Sequence, residues 1–335
     1  MDSGARPLIE LQGVSKRFYK PLDMAARAVK WLGVNIRDEV VHAVNDVSVA
    51  VNAGEVVGLV GESGCGKSTL GRIVAGIYPP TDGRVLFHGT DVTELTGQAE
   101  KECTLAIQMI FQDPFASLNP RMKIAGIIGE APIAHGLISR SERDDYVDAL
   151  MERVGLDPSY KSRYPHQFSG GQSQRIGIAR ALAVKPQMIV CDEAVAALDV
   201  SIRAQILNLF MDLRDDLNLT YLFISHDLSV IEHLSDHVAI MYLGRIVERA
   251  PAAEIFQKPN HPYTQALLAE MPRLEVKKRR YAPIKGEIPS PFNPPSGCHF
   301  HPRCPHAFDR CRRERPMLKE IAPGRISACH LNDGP

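Results

Sequence analysis

The residues with the plainest chemical purpose form the run Gly61-Glu62-Ser63-Gly64-Cys65-Gly66-Lys67-Ser68, with Thr69 after it. Glycines at this spacing let successive backbone N–H groups converge on one anion, and a helix opening at the end of the run adds its positive pole. Lys67 supplies a mobile point charge for a triphosphate, and the Ser68 hydroxyl suits Mg²⁺. Gly61, Ser63, Gly64, Cys65, Gly66, Lys67, Ser68 and Thr69 are therefore the candidate ATP contacts. Cys65 has two readings: a thiol made reactive by the helix N-terminus, or a small residue tolerated in a tight loop.

Hydrolysis of a bound triphosphate also needs a carboxylate for the metal and a group to orient water. The segment MIVCDE provides both, since its apolar residues lead into Asp192-Glu193 at a strand's carboxyl end, where α/β sheets bind ligands. Asp192 suits the Mg²⁺ shell, and Glu193 suits polarisation of the attacking water.

These residues need a scaffold, and β-branched segments alternating with helical ones through residue 250 or so point to an α/β domain. The sheet should be largely parallel with an antiparallel early part. LIELQGVSKRF and VHAVNDVSVAV read as early strands, and Val56 to Val60 as a short apolar strand feeding a helix from Leu70. Residues 113–180 or so read as an inserted helical subdomain. QMIVCDE, SIRAQILNLFMDLRDDL and TYLFISHD then read as strand, helix and strand, and VAIMYLGRIVER as a hairpin turning near Gly244. Between the first two strands Lys20 to Val40 interrupts the pattern and carries the only tryptophan, Trp31, in a short amphipathic helix. It is a surface excursion or a contact for a membrane or partner. Met271 to Pro295 is proline-rich, reads as a linker, and carries Lys277 to Arg280, a basic run suited to solvent or to headgroups.

In the 335 residues, Lys+Arg and Asp+Glu both number 39, so no bulk charge favours nucleic acid. No stretch reaches the roughly 20 consecutive apolar residues of a membrane-spanning helix, and the start, MDSGARPLIELQ, has no apolar signal core. A cytoplasmic chain with reduced thiols is expected. Of seven cysteines, Cys298, Cys304, Cys311 and Cys329 crowd the end of the chain.

Phe168-Ser169-Gly170-Gly171-Gln172, followed by SQRIGIARAL, closely resembles the signature of ABC ATPases, a second glycine-rich helix start. That resemblance implies a P-loop NTPase fold of ABC type, with a RecA-like core, an antiparallel β subdomain and a helical subdomain. It also implies that Ser169, Gly170, Gly171 and Gln172 clamp the γ-phosphate held by another subunit. Other landmarks follow in family order. Gln112 in MIFQDP matches the glutamine that meets Mg²⁺ and the attacking water, and His226 in FISHD the histidine that meets the γ-phosphate. Ala197-Leu198-Asp199 resembles the loop crossing the cassette dimer, and Phe18 in VSKRF the aromatic stacked on adenine, with Tyr19 its adjacent rival. Ala194-Val195-Ala196 departs from the family's usual proline, threonine or valine, and serine, a change expected to loosen the turn.

FQDPFASLNPRM, YPHQFSGGQSQRIGIARAL, ALDVSIRAQILNLF and HPYTQALL together resemble the ATPases of dipeptide and oligopeptide importers. The resemblance implies ATP-driven peptide import by this chain paired with a sister ATPase, two permeases and an external solute-binding protein, at the cytoplasmic face of the membrane. Related importers handle nickel, glutathione and sugars. A soluble ABC ATPase of DNA repair or translation, or a metal-dependent regulator with a vestigial ATPase, are the rival classes. The division expected is a nucleotide-binding domain over residues 1–255 and an extension over 256–335. Five, six and seventeen residues separate the extension's successive cysteines, with no close pair of the zinc kind, so spacing alone names no metal. The resemblance implies a four-iron, four-sulfur cluster on Cys298, Cys304, Cys311 and Cys329. Zinc assisted by one of His299, His301, His306 or His330, or no metal at all, are the alternatives.

Overall fold

The structure, a computed structural model, describes residues 6–20, 39–271 and 286–333. The amphipathic segment around Trp31 and the basic run Lys277 to Arg280 lie outside the described residues.

Strand β3 (Val56–Val60) is buried along its whole length, as are β7 (Met188–Asp192) and β8 (Thr220–Ser225). Continuous apolar runs of this kind form strands covered on both faces. With β6 (Ile107–Ile110) and β9 (His237–Tyr242) they run parallel in the order β9-β3-β8-β7-β6. Side-chain alternation divides their residues between two cores. Val56, Val60, Ile189, Tyr221 and Phe223 face one, and Val57, Leu59, Val190, Leu222 and Ile224 the other.

The helix Lys67–Val74 packs on the second face. A Cβ at Gly71 would come within 2.6 Å of the Ile224 side chain, so glycine is what lets this helix settle close to the sheet. On the same side a second sheet, β2-β1-β4-β5, joins β1 (Ile9–Lys20), β2 (Glu39–Val51), β4 (Asp82–Phe87) and β5 (Thr90–Asp91) in antiparallel pairs. The other core runs into the helices Ile124–Ala134, Arg143–Arg153 and Gly170–Leu182, through fully buried Ile128, Val147, Met151 and Ile176. Arg175 and Arg180 donate to the carbonyls of Val154 and Ser117, closing this helical layer on itself.

The expected hairpin forms: β9 turns at Leu243-Gly244, both with positive φ, into β10 (Arg245–Pro251). Beyond it β12 (Arg325–Ser327) pairs with β10 and β11 (Lys319–Ala322) with β12, so these strands continue the main sheet to eight among the described residues. Tilted and edge-to-face packing of Tyr242, Tyr263 and Phe300, with centroids 4.6 to 5.4 Å apart, seats the cysteine-rich lobe against the hairpin.

Candidate functional site

Parallel pairing places the ends of β3, β8, β7 and β6 along one sheet edge, with Val60 opposite Ser225, Ile224 opposite Asp192 and Cys191 opposite Ile110. Every candidate from those strands therefore leaves the sheet on the same side. β8 lies between β3 and β7, so the phosphate loop and Asp192 are two strand spacings apart, about 10 Å of backbone. Side chains close that gap: the Ser68 hydroxyl donates to Asp192 Oδ1 at 2.7 Å.

Within the loop, Gly64 and Gly66 have φ of 77° and 106°. A Cβ at Gly66 would reach the Ala43 carbonyl at 2.0 Å and one at Gly61 the Met241 carbonyl at 2.2 Å, whereas one at Gly64 meets nothing within 4 Å. Packing thus demands two of the glycines and backbone conformation the third. Lys67, only 5% exposed, curls back over the loop, its Nζ donating to the carbonyls of Gly61 and Glu62 at 2.7 and 3.0 Å. Cys65 is buried, and burial raises its thiol pKa despite Lys67 nearby. Of its two readings the structure favours the small residue packed in a tight loop.

Asp192 is 4% exposed. Burial raises its pKa from the ordinary carboxylate value, against the opposing Ser68 hydrogen bond and Arg72. A buried carboxylate beside a hydroxyl, short of compensating charge, fits the oxygen-ligand chemistry of Mg²⁺. Next to it Glu193 adopts φ 50°, a conformation uncommon outside glycine, fixed by its N–H donating to the Ile224 carbonyl at 3.0 Å. The twist turns its carboxylate toward His226, whose Nδ1 lies 3.3 Å from Glu193 Oε1. Gln112, exposed, follows two residues after β6 at the neighbouring strand end. In the Ala194-Val195-Ala196 turn Ala194 and Val195 are buried, and the Ala196 N–H donates to the Glu193 carbonyl at 3.0 Å.

Phe18 is half-buried, its ring edge-on to Tyr78 at 5.6 Å, whereas Tyr19 is 63% exposed. Ser169 caps the helix Gly170–Leu182: its hydroxyl accepts from the Gln172 N–H, and the Gln172 side chain accepts from the Ser169 N–H. A Cβ at Gly171 would lie 2.5 Å from Ile202, at the start of the helix Val200–Leu217 that follows Ala197-Leu198-Asp199. Among the described residues no hydrogen bond joins this helix start to the phosphate loop.

Two supporting residues escaped the sequence reading. Asp227 caps the helix Leu228–Leu234 through the Ser229 N–H and accepts from Arg203 at 2.9 Å, while Arg203 also donates to the Leu198 carbonyl. Together they tie the Leu198 turn to the residue that follows His226. The legible signal was Asp227 itself, an N-cap residue type directly after His226.

In the extension, Cys298, Cys304, Cys311 and Cys329 carry free thiols and line one small cavity of about 10 Å³. Burial pushes Cys298 up to about 11, with the other three thiols adding to the rise, and burial likewise raises Cys304 and Cys329. Four soft donors around one cavity fit a thiolate-ligated group. Among the described residues no three His, Cys, Asp or Glu are grouped as a site for a metal ion, an observation that does not distinguish a cluster from zinc.

Comparison with known proteins agrees with this geometry. The ABC transporter family matches residues 44–196, and the oligopeptide/dipeptide transporter C-terminal region matches residues 247–311. Oligopeptide transport ATP-binding protein AppF of Bacillus subtilis is 53% identical over 296 residues, 87% of this chain and 90% of that protein. Dipeptide transport ATP-binding protein DppF of Escherichia coli is 47% identical over 302 residues, 90% of each. Among solved structures, the dimeric post-hydrolysis state of the ATP-binding cassette MJ0796 with ADP and Pi superposes with a TM-score of 0.61 at 25% identity, covering 73% of this chain and 98% of that one. CbiO1 of Clostridium perfringens gives 0.61 at 23% identity, covering 76% and 92%.

Proposed function

Since the chain belongs to the ATP-binding subunits of ABC transporters, in the oligopeptide and dipeptide branch, we propose that it hydrolyses ATP to power peptide import through permease subunits. One observation carries the reading: a single sheet edge gathers the phosphate loop, the Ser68–Asp192 contact and the Glu193–His226 pair.

In this reading Gly61 to Thr69 receive the triphosphate, and Lys67 leaves its carbonyl partners to bind phosphate oxygens. Phe18 supports the adenine. Ser68, Asp192 and Gln112 would hold Mg²⁺, which when bound neutralises charge developing on the phosphates. Glu193 accepts a hydrogen bond from the attacking water and polarises it, while His226 steadies Glu193 and meets the γ-phosphate. Ser169, Gly170, Gly171 and Gln172 serve the nucleotide of a sister ATPase, with Ala197, Leu198 and Asp199 along the shared interface. The exposed helix start at Ser169 supports that assignment.

The partner is a sister ATPase in a heterodimer, with two permeases and an external solute-binding protein, and the assembly holds this chain at the cytoplasmic face of the membrane. No described helix is long and apolar enough to cross a membrane itself. The extension, residues 256–335, is a functional unit added to a cassette of residues 1–255. Its four cysteines would hold a four-iron, four-sulfur cluster, whose chemistry is to bind thiolates and staple a lobe poor in regular structure. The shared cavity and the absence of disulfides among these thiols support it.

Reconstitution with the permeases in vesicles tests the reading. Peptide-stimulated phosphate release should fall by about 100-fold or more in Glu193→Gln, with ATP binding retained. Full turnover in that variant would remove Glu193 from its role.

A further inference from the structure

The phosphate loop and the cysteine-rich lobe are joined by a contact that spans 241 residues of sequence. Arg303, directly before Cys304, donates from Nη1 and Nη2 to the two carboxylate oxygens of Glu62 at 2.7 and 2.9 Å. The Arg303 side chain is 4% exposed and that of Glu62 is 19% exposed, so the pair is largely withdrawn from water. Tyr242 supports the guanidinium, its hydroxyl accepting from Nη1 at 3.4 Å. A second hand holds the same loop residue: the Glu62 N–H donates to the Tyr263 hydroxyl at 3.0 Å. Glu62 is no bystander in the loop, because its carbonyl accepts from Lys67 Nζ at 3.0 Å.

A carboxylate inside a loop built for a triphosphate repels the ligand unless its charge is cancelled and its direction fixed. A planar fork bonded to both oxygens does both, which a lysine could not. We propose that Arg303 is a positioning residue for the nucleotide site, holding Glu62 out of the triphosphate's space and tying the phosphate loop to the cysteine-rich lobe. The inference rests on the reading of Gly61 to Ser68 as the site for ATP. It assigns the extension a part in nucleotide affinity as well as in folding.

The test is a set of variants of the full chain, Arg303→Gln, Arg303→Lys and the double Glu62→Gln/Arg303→Gln. Each is titrated with a fluorescent ATP analogue and Mg²⁺, assayed for KM and kcat in the reconstituted transporter, and melted to record Tm. Arg303→Gln leaves the Glu62 charge unpaired and is expected to raise Kd and KM by about 10-fold with kcat within about 3-fold. Arg303→Lys, which keeps the charge but makes one bond in place of two, falls between it and the parent chain. The double variant, with no unpaired charge, recovers most of the affinity. A Kd within about 2-fold of the parent in Arg303→Gln overturns the proposal, as does a double variant no better than the single, which would mark the contact as scaffold only. If Arg303→Gln does not fold, Arg303→Lys decides, and an unchanged Kd there overturns it. A parent chain that binds no nucleotide overturns the ATP-site reading and the positioning role with it.

Discussion

The chain carries two glycine-rich helix starts, at Gly61 to Ser68 and at Phe168 to Gln172, and they differ in how complete they are. The first is walled by its own fold: the Ala43 and Met241 carbonyls crowd its glycines, Lys67 closes over it, and Asp192 reaches it through Ser68. The second satisfies only itself, its Ser169 and Gln172 exchanging hydrogen bonds at an exposed helix end. Backbone donors at a helix start favour an anion, but a site also needs charge and walls. One start has both within this chain. In the proposed reading the other meets a neighbouring subunit's nucleotide, which would place affinity on the first region and turnover on the meeting of the two.

The sharpest way to break this comparison is Lys67→Ala, which removes the lysine that closes over the first start. Phosphate release by the assembled transporter should fall by about 100-fold or more, with loss of nucleotide binding by the isolated chain. Retained binding would show that the first start does not depend on its lysine. Gly171→Ala probes the second: its Cβ would collide with Ile202 at 2.5 Å and displace the helix start. Turnover in the assembly should drop by about 10-fold while the isolated chain keeps its nucleotide affinity. A variant that loses affinity in isolation would mean that the two regions are not separable.

The smallest effect sharpens the first region alone. Burial raises the Asp192 pKa, and the Ser68 hydrogen bond and Arg72 only partly offset it. Because the folded pKa exceeds the unfolded one, the folded state holds the proton more tightly and loses stability as pH rises through the carboxylate range. Asp192→Asn should therefore melt a few degrees higher than the parent chain near neutral pH without nucleotide. It should match the parent below about pH 3.5, where both forms are neutral. Mg²⁺-dependent stabilisation by ATP should disappear. Melting curves over pH, with and without Mg²⁺ and ATP, read both outcomes.

Much of this was legible from residues alone, because phosphate binding depends on a contiguous run. Gly61 to Ser68 had to follow a strand and open a helix, and β3 and the helix Lys67–Val74 do so. The apolar stretches ending at Asp192 and at His226 likewise had to be buried strands ending at one edge. The positive φ of Glu193 had no sequence signal, since glutamate rarely adopts it and a carbonyl of β8 enforces it. Nor did the burial of Ala194 and Val195 in the turn that follows it.

The sequence by itself determined the chemistry and the order of its parts, because glycine spacing, strand patterning and capping residues act over a few neighbouring positions. Only the tertiary structure decided which distant residues share a charge. Burial of Asp192, the pairing of Glu193 with His226 and the grip of Arg303 on Glu62 arise where separate segments meet and water is excluded, and no local pattern encodes a meeting of that kind.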